Sequence, residues 1–374
     1  MNVIRISAAG SGKTTRICKD ALVAVENSRK KALIVSYTNR GVEAIENAIK
    51  SNNGGILSSR IDIKTWYVFV LNDLLRPYQI TIDGINTNEI KGLNFEQNPY
   101  DKYHAKGTRA RYLDKTSNVK SDVASEMAYV IMCRTKGVPL KRLFGIYSHI
   151  YIDELQDMSG SDLNVINELL KLGDNIVCCG DHRQATFCTN KSKKNKQFSG
   201  KNLLTYCSRA AENMKVSVET ELISHRFNRS ICSFANTLFP DDSSNDMASD
   251  MRELKGHDGV FVISAEDENS YYETFHPQVL RYAKNTLTEY ESINFGASKG
   301  LTFDRVLIKP NKKLLAFLLN GEKLDSPHKY YVAVTRPRYS LTFVVERLPE
   351  KIPGFCNCPI QLKDRIIDGF QYDS

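Results

Sequence analysis

Short apolar runs alternate along the chain with stretches whose apolar residues recur at helical spacing. Val3, Ile4 and Ile6 form one such run; after a glycine-containing break, Ile17, Cys18, Ala21, Leu22 and Val25 fall on one helical face. The couplet repeats, since Leu33, Ile34 and Val35 predict a strand and Val42, Ile45 and Ile49 give the next helix a core face. Ile150, Tyr151 and Ile152 predict another buried strand, Ile176, Val177, Cys178 and Cys179 a third, and residues 341–345 a later one. Strands alternating with amphipathic helices predict an α/β fold with parallel sheets. On the strand of Cys178 and Cys179 the two thiols must face opposite sides of the sheet. No apolar run reaches the roughly 18 residues that a membrane span needs, so no membrane association is expected. The beginning MNVIRIS lacks the apolar segment and cleavage site of a signal peptide, which makes a cytoplasmic location the expectation.

A chain of 374 residues has the length for two or three domains. Lys and Arg total 51 against 43 for Asp and Glu, and the formal charge of +8 favours a polyanionic partner without identifying it. Nine cysteines lie without zinc spacing, Cys356 and Cys358 being too close for a typical pair, so reduced and mostly buried thiols are expected.

The first strand leads into Ala9-Gly10-Ser11-Gly12-Lys13-Thr14-Thr15, which opens a helix. This is the context of a phosphate-binding loop: glycines let backbone N–H groups curl around phosphate oxygens, Lys13 reaches the β- and γ-phosphates, and Thr14 offers a hydroxyl to Mg²⁺. Ser7 stands where the pattern G-x-x-x-x-G-K-[ST] has its first glycine. In HIYIDELQDMSGSDL the strand places Asp153 and Glu154 at its carboxyl end, where Asp153 can hold Mg²⁺ and Glu154 can take a proton from attacking water. The third strand ends in Gly180-Asp181-His182-Arg183-Gln184, and Gln184 is a candidate sensor of the γ-phosphate.

Taken in order, these signals resemble the superfamily 1A helicases of the UvrD/Rep/PcrA type. The blocks follow the family order over residues 1 to 346. The phosphate loop comes first. VSYTNRGVEAI resembles the T-N-K block, which in the family touches single-stranded DNA and so nominates Thr38 and Asn39; a helix cap is the other reading of Thr38. IDIKTWYVF resembles the block whose threonine and aromatic meet a base, which nominates Thr65 and Trp66, the latter otherwise a core residue. Asp153-Glu154-Leu155-Gln156-Asp157 matches D-E-x-Q-D and Gly180 to Gln184 matches G-D-x-x-Q. ELISHRFNRSI resembles N-Y-R-S, placing Arg226 at the γ-phosphate and His225 where an aromatic stacks on adenine, with an ordinary surface histidine as the alternative. INFGASKGLTFDRVLI resembles the A-K-G-L-E-F-D block, nominating Ser298 and Lys299, and KYYVAVTRPRYSLTFVV matches V-A-x-T-R, making Arg336 the second catalytic arginine.

The resemblance implies two RecA-like P-loop domains with parallel sheets: residues 1–66 with 143–220, and residues 221–346. It adds a small accessory subdomain inserted at 67–142, and leaves 347–374 as a C-terminal tail. It implies ATP and Mg²⁺ as cofactors, hydrolysis where the two domains meet, single-stranded DNA or a partial duplex as partner, and 3′ to 5′ movement. This chain also departs from the family. Asn294, Gly296 and Thr302 replace Thr, His and Glu, the Tyr-Gly-Trp-Arg segment is missing with Phe187 as its nearest aromatic, and, with a strand at residues 3–6, the family's glutamine-bearing adenine-reading segment is expected to be absent. The run Lys193-Lys194-Asn195-Lys196 is either a phosphate contact or a solvated charge run. These departures motivate a second hypothesis: a nucleotide-gated DNA-binding subunit that regulates a nuclease or anti-phage complex without processive unwinding. A kinase or an RNA-directed enzyme is a third.

Overall fold

The computed structural model describes every residue except 97–102, 187–193, 285, 287 and 374. Phe187 and Lys193, both singled out above, lie outside the described residues. The chain divides into two compact units, one of Met1–Ser7 and Lys13–Thr220, the other of Ala8–Gly12 and Glu221–Ser374. Both are mixed α/β and built on a mainly parallel sheet. Among the described residues no helix is long and apolar enough to cross a membrane.

The first unit's sheet comprises β1 (Asn2–Ser7), β2 (Lys31–Ser36), β3 (Ile61–Thr65), β4 (Tyr147–Ile152), β5 (Ile176–Gly180) and β6 (Val216–Glu221), in the order β3-β2-β4-β5-β1-β6. β1 to β5 run parallel. Parallel strands covered on both faces bury nearly every residue, and β5 buries all of its own. The pleat sorts them: Leu33, Val35, Ile150, Ile152 and Cys178 enter one core, while Ala32, Ile34, Tyr151, Val177 and Cys179 enter the other. Helix α1 (Lys13–Glu26) closes the second face with Ile17, Cys18, Ala21 and Val25, helped by Ile45 and Ile49 of α2 (Asn39–Asn52).

The other face is covered by α3 (Ser121–Arg134), α4 (Val138–Ile146), α5 (Asp162–Leu172) and α6 (Leu203–Asn213). Residues 67–142 therefore differ from the accessory subdomain expected of them. Phe69, Val70, Leu74, Val123, Met127 and Ile131 share one core with Ile4, Leu33 and Ile150, because a parallel sheet needs both faces covered and this segment supplies much of the second layer.

The second unit's sheet comprises β7 (Gly259–Ser264), β8 (Gln278–Arg281), β9 (Ser292–Asn294), β10 (Phe303–Ile308), β11 (Pro337–Val345), β12 (Phe355–Asn357) and β13 (Gly369–Tyr372), in the order β9-β8-β10-β11-β7-β13-β12. The first five are parallel, and β13 runs antiparallel to both β7 and β12. Val260 and Val262 face α7 (Arg229–Thr237), whereas Phe261 and Ile263 face α8 (Glu268–Phe275). Residues 347–373 are not a tail: they supply this sheet with β12 and β13, and place Ile352, Phe355 and Phe370 on one side and Ile360, Leu362 and Ile367 on the other.

Candidate active site

In the first unit the neighbours β4, β5 and β1 bring the residues that follow them to one edge of the sheet. Lys13, the first residue of α1, donates from Nζ to the Ser7 carbonyl at 3.0 Å and lies 4.0 Å from Asp181 Oδ2. Thr14 Oγ1 donates to Asp153 Oδ2 at 3.4 Å, and the other oxygen of this buried carboxylate accepts from the Glu154 amide at 2.9 Å. Thr15 is exposed on the same helical turn.

Glu154 itself has φ +58° and ψ +43°, a left-handed conformation that a non-glycine residue holds at a cost of about 1–3 kcal/mol and that clusters at functional sites. Its carboxylate accepts from Gln156 Nε2, while Gln156 Oε1 accepts from the Asp181 amide at 2.9 Å. Gly180 is required by this approach, because a Cβ there would stand 2.9 Å from Gln156 Oε1. The buried Asp181 carboxylate accepts from the Arg183 amide at 3.0 Å and from Gln184 Nε2 at 2.7 Å. Burial, together with the Asp153 charge, pushes the Cys18 and Cys179 thiols up to about 12, so both stay protonated and act as packing rather than as nucleophiles.

The structure thus brings Lys13, Thr14, Asp153, Glu154 and Gln184 together. Gln156 and Asp181 also belong to the cluster; they lie inside the D-E-x-Q-D and G-D-x-x-Q matches, which was the available signal. Among the described residues no group of three or more His, Cys, Asp or Glu could hold a metal. Mg²⁺ suits this donor set, since it needs only one or two protein oxygens when phosphates complete its shell.

Ala8–Gly12 belong by their packing to the second unit. Gly10 and Gly12 have φ of +76° and +80°, and a Cβ on Gly10 would lie 2.7 Å from the Arg226 Cβ and closer still to Ser224 Oγ. The His225 amide donates to the Gly10 carbonyl at 2.9 Å, and the Ala9 amide to the Tyr331 hydroxyl at 3.4 Å. Ser11 Oγ is buried with no hydrogen-bond partner, an orphaned donor in the loop expected to cradle phosphate. His225 is exposed, and its Nδ1 lies 2.8 Å from Asp250.

The two arginines differ. Arg226 is half-buried and donates to the Thr335 carbonyl at 3.2 Å. Arg336 is 1% exposed and donates to the Val332 carbonyl at 2.7 Å, the Leu301 carbonyl at 3.1 Å and the Thr335 hydroxyl at 3.1 Å. The guanidinium ties the end of α9 (His328–Val334) to the segment before β10.

Of the nucleic-acid candidates, Trp66 and Ser298 are buried. Trp66 is fully buried, and its Nε1 donates to Asp162 Oδ1 at 2.9 Å and to Ser125 Oγ at 3.3 Å, so the ring is core and not a platform for a base. Ser298 is equally buried and donates to the Phe295 carbonyl at 2.8 Å, which removes it from any strand contact. Thr38 caps α2 by accepting from the Gly41 amide at 3.0 Å, and Thr65 caps a short helix, Trp66–Phe69, by accepting from Val68 at 3.3 Å. Asn39 is exposed and Lys299 half-buried. Beside Thr38 and Thr65, Tyr37 lies 6.2 Å from Tyr67, and Tyr67 lies 5.1 Å from Phe95, which is 62% exposed.

No protein-family model matches the chain, and no curated protein matches it. Solved structures with a partial likeness include the PRRSV helicase, at 14% identity and a TM-score of 0.45, covering 98% of this chain and 59% of that one. Arterivirus nonstructural protein 10 (helicase) in complex with DNA gives 14% identity and a TM-score of 0.48, covering 93% of this chain and 61% of that one. The same helicase in another crystal structure gives 14% and 0.47, covering 92% and 59%. This chain therefore spans roughly three fifths of those helicases, and its α/β architecture is read from its own strand order.

Proposed function

We propose that the chain is an ATP-hydrolysing motor of the UvrD/Rep/PcrA type that moves 3′ to 5′ on single-stranded DNA and separates duplex. The observation that carries this reading is the convergence of Lys13, Thr14, Asp153, Glu154, Asp181 and Gln184 where three neighbouring parallel strands end, the edge at which open α/β sheets bind ligands. Lys13 neutralises phosphate oxygens, and the orphaned Ser11 hydroxyl donates to one of them. Thr14 and Asp153 would hold Mg²⁺, which when bound draws charge from the phosphates. Glu154 takes the proton of the attacking water as its oxygen bonds to the γ-phosphorus. The bond from that phosphorus to the β–γ bridging oxygen breaks, and ADP leaves with the electron pair. Arg226, packed on Gly10, is the arginine assigned to the developing charge.

The Lys13→Ala variant tests this reading: ATP hydrolysis stimulated by single-stranded DNA is expected to disappear. Unchanged turnover in that variant overturns the scheme. A strand-displacement assay with 3′ and 5′ tails tests unwinding and polarity separately.

A further inference from the structure

We propose that Gln156 is a positioning residue for hydrolysis, aiming the Glu154 carboxylate and linking it to the Lys13–Asp181–Gln184 cluster; this rests on the ATPase reading above. Gln156 is 1% exposed, and its amide joins the exits of two neighbouring strands. On one side its carbonyl oxygen accepts from the Asp181 amide at 2.9 Å; on the other its Nε2 donates to Glu154 Oε2. Room for the amide comes from the missing Cβ of Gly180.

Three features make the role specific. Glu154 holds its left-handed backbone directly after β4, at the strand exit where the carboxylate must act. Gln156 bonds that carboxylate, and Asp181, which fixes Gln156 from the far side, also holds Gln184 at 2.7 Å and lies 4.0 Å from Lys13. The chemistry requires this residue type. A carboxamide both accepts from an amide and donates to a carboxylate, whereas glutamate cannot donate and asparagine is one methylene short. A neutral donor also fixes the carboxylate with less loss of basicity than a lysine or arginine would impose.

The test uses the full chain with saturating single-stranded DNA. Gln156→Leu removes both bonds, and kcat is expected to fall about 10- to 100-fold, the usual effect of misplacing a reacting group, with KM for ATP held within about twofold. Gln156→Glu keeps an acceptor for Asp181 but sets a second carboxylate beside Glu154. Its kcat is expected to fall about 10-fold or more, again with KM for ATP held within about twofold. Wild-type kcat in Gln156→Leu overturns the inference. So does a parallel loss of kcat, ATP affinity and melting temperature in both variants, since that marks a merely structural residue. If Gln156→Leu does not fold, the kcat-against-KM split of Gln156→Glu decides alone. A wild-type chain that hydrolyses no nucleotide overturns the underlying reading and this inference with it; an active wild type with unmoved variants overturns only this one.

Discussion

Trp66→Phe separates a base-stacking platform from a core residue in one experiment. The substitution keeps an aromatic ring but deletes the N–H that donates to Asp162 at 2.9 Å and to Ser125 at 3.3 Å. Asp162 keeps the Ser125 hydroxyl as a donor, so it loses one charge-assisted bond rather than all its partners. Losing a buried hydrogen bond to a charged group costs about 1.5–3 kcal/mol, and the smaller ring adds a packing loss. For a unit of this size each kcal/mol lowers Tm by about 2–4 °C, so a drop of about 3–12 °C is expected. Affinity for labelled oligothymidine, read by fluorescence anisotropy, should stay unchanged. Trp66 is the only tryptophan, so its emission should be that of a buried indole and indifferent to added strand. Phe95→Ala, run alongside, removes the exposed ring of the Tyr37–Tyr67–Phe95 row and should weaken strand binding by about 1–3 kcal/mol with the melt unaltered. The reasoning is refuted if Trp66→Phe melts like wild type yet binds strand at least about fivefold more weakly.

Two further outcomes follow from the second unit. Arg226→Ala should cut turnover by about 10³-fold while leaving the melt intact, whereas Arg336→Ala should lower the melting temperature, because its side chain bridges Val332, Leu301 and Thr335; exchanged phenotypes in thermal melts and ATPase assays would reverse the assignment. His257 is sandwiched between Phe261 at 4.0 Å and Phe275 at 4.1 Å, and burial with the Arg305 charge lowers its pKa to about 3, below the roughly 6.5 of an unfolded histidine. The unfolded chain therefore binds the proton first. The stabilisation is complete above about pH 6.5 and is lost as pH falls toward 3, about 2–3 kcal/mol of it by pH 4.5. Urea unfolding at pH 7 and 4.5 should show this dependence in wild type and less of it in His257→Phe; equal dependences would disprove it.

The sequence made the sheets legible where apolar runs were continuous, since a strand buried on both faces has little polar content, and the opposite facing of Cys178 and Cys179 followed from the pleat alone. The residues gathered around Lys13 were legible because each is a polar exception at the end of an apolar run. What pattern could not reveal was which layer covers which face. Residues 67–142 have no strong signature of their own, yet they carry the helices that bury Trp66, and a lone tryptophan after a threonine does not announce whether it points in or out. Ser298 and Arg336 show the same limit: small polar and cationic residues are held by backbone carbonyls brought close only by the tertiary fold. The last strands were unreadable because β12 and β13 are short and broken by polar residues.

Those last strands have a practical bearing on how the polypeptide can be cut. With β13 in place, the flank of β7 away from β11 is paired; a fragment stopped at Glu346 would instead leave a row of bare amides and carbonyls beside Phe261 and Ile263. Such an open margin invites other chains to dock strand against strand, so shortened versions ending there would clump rather than float free.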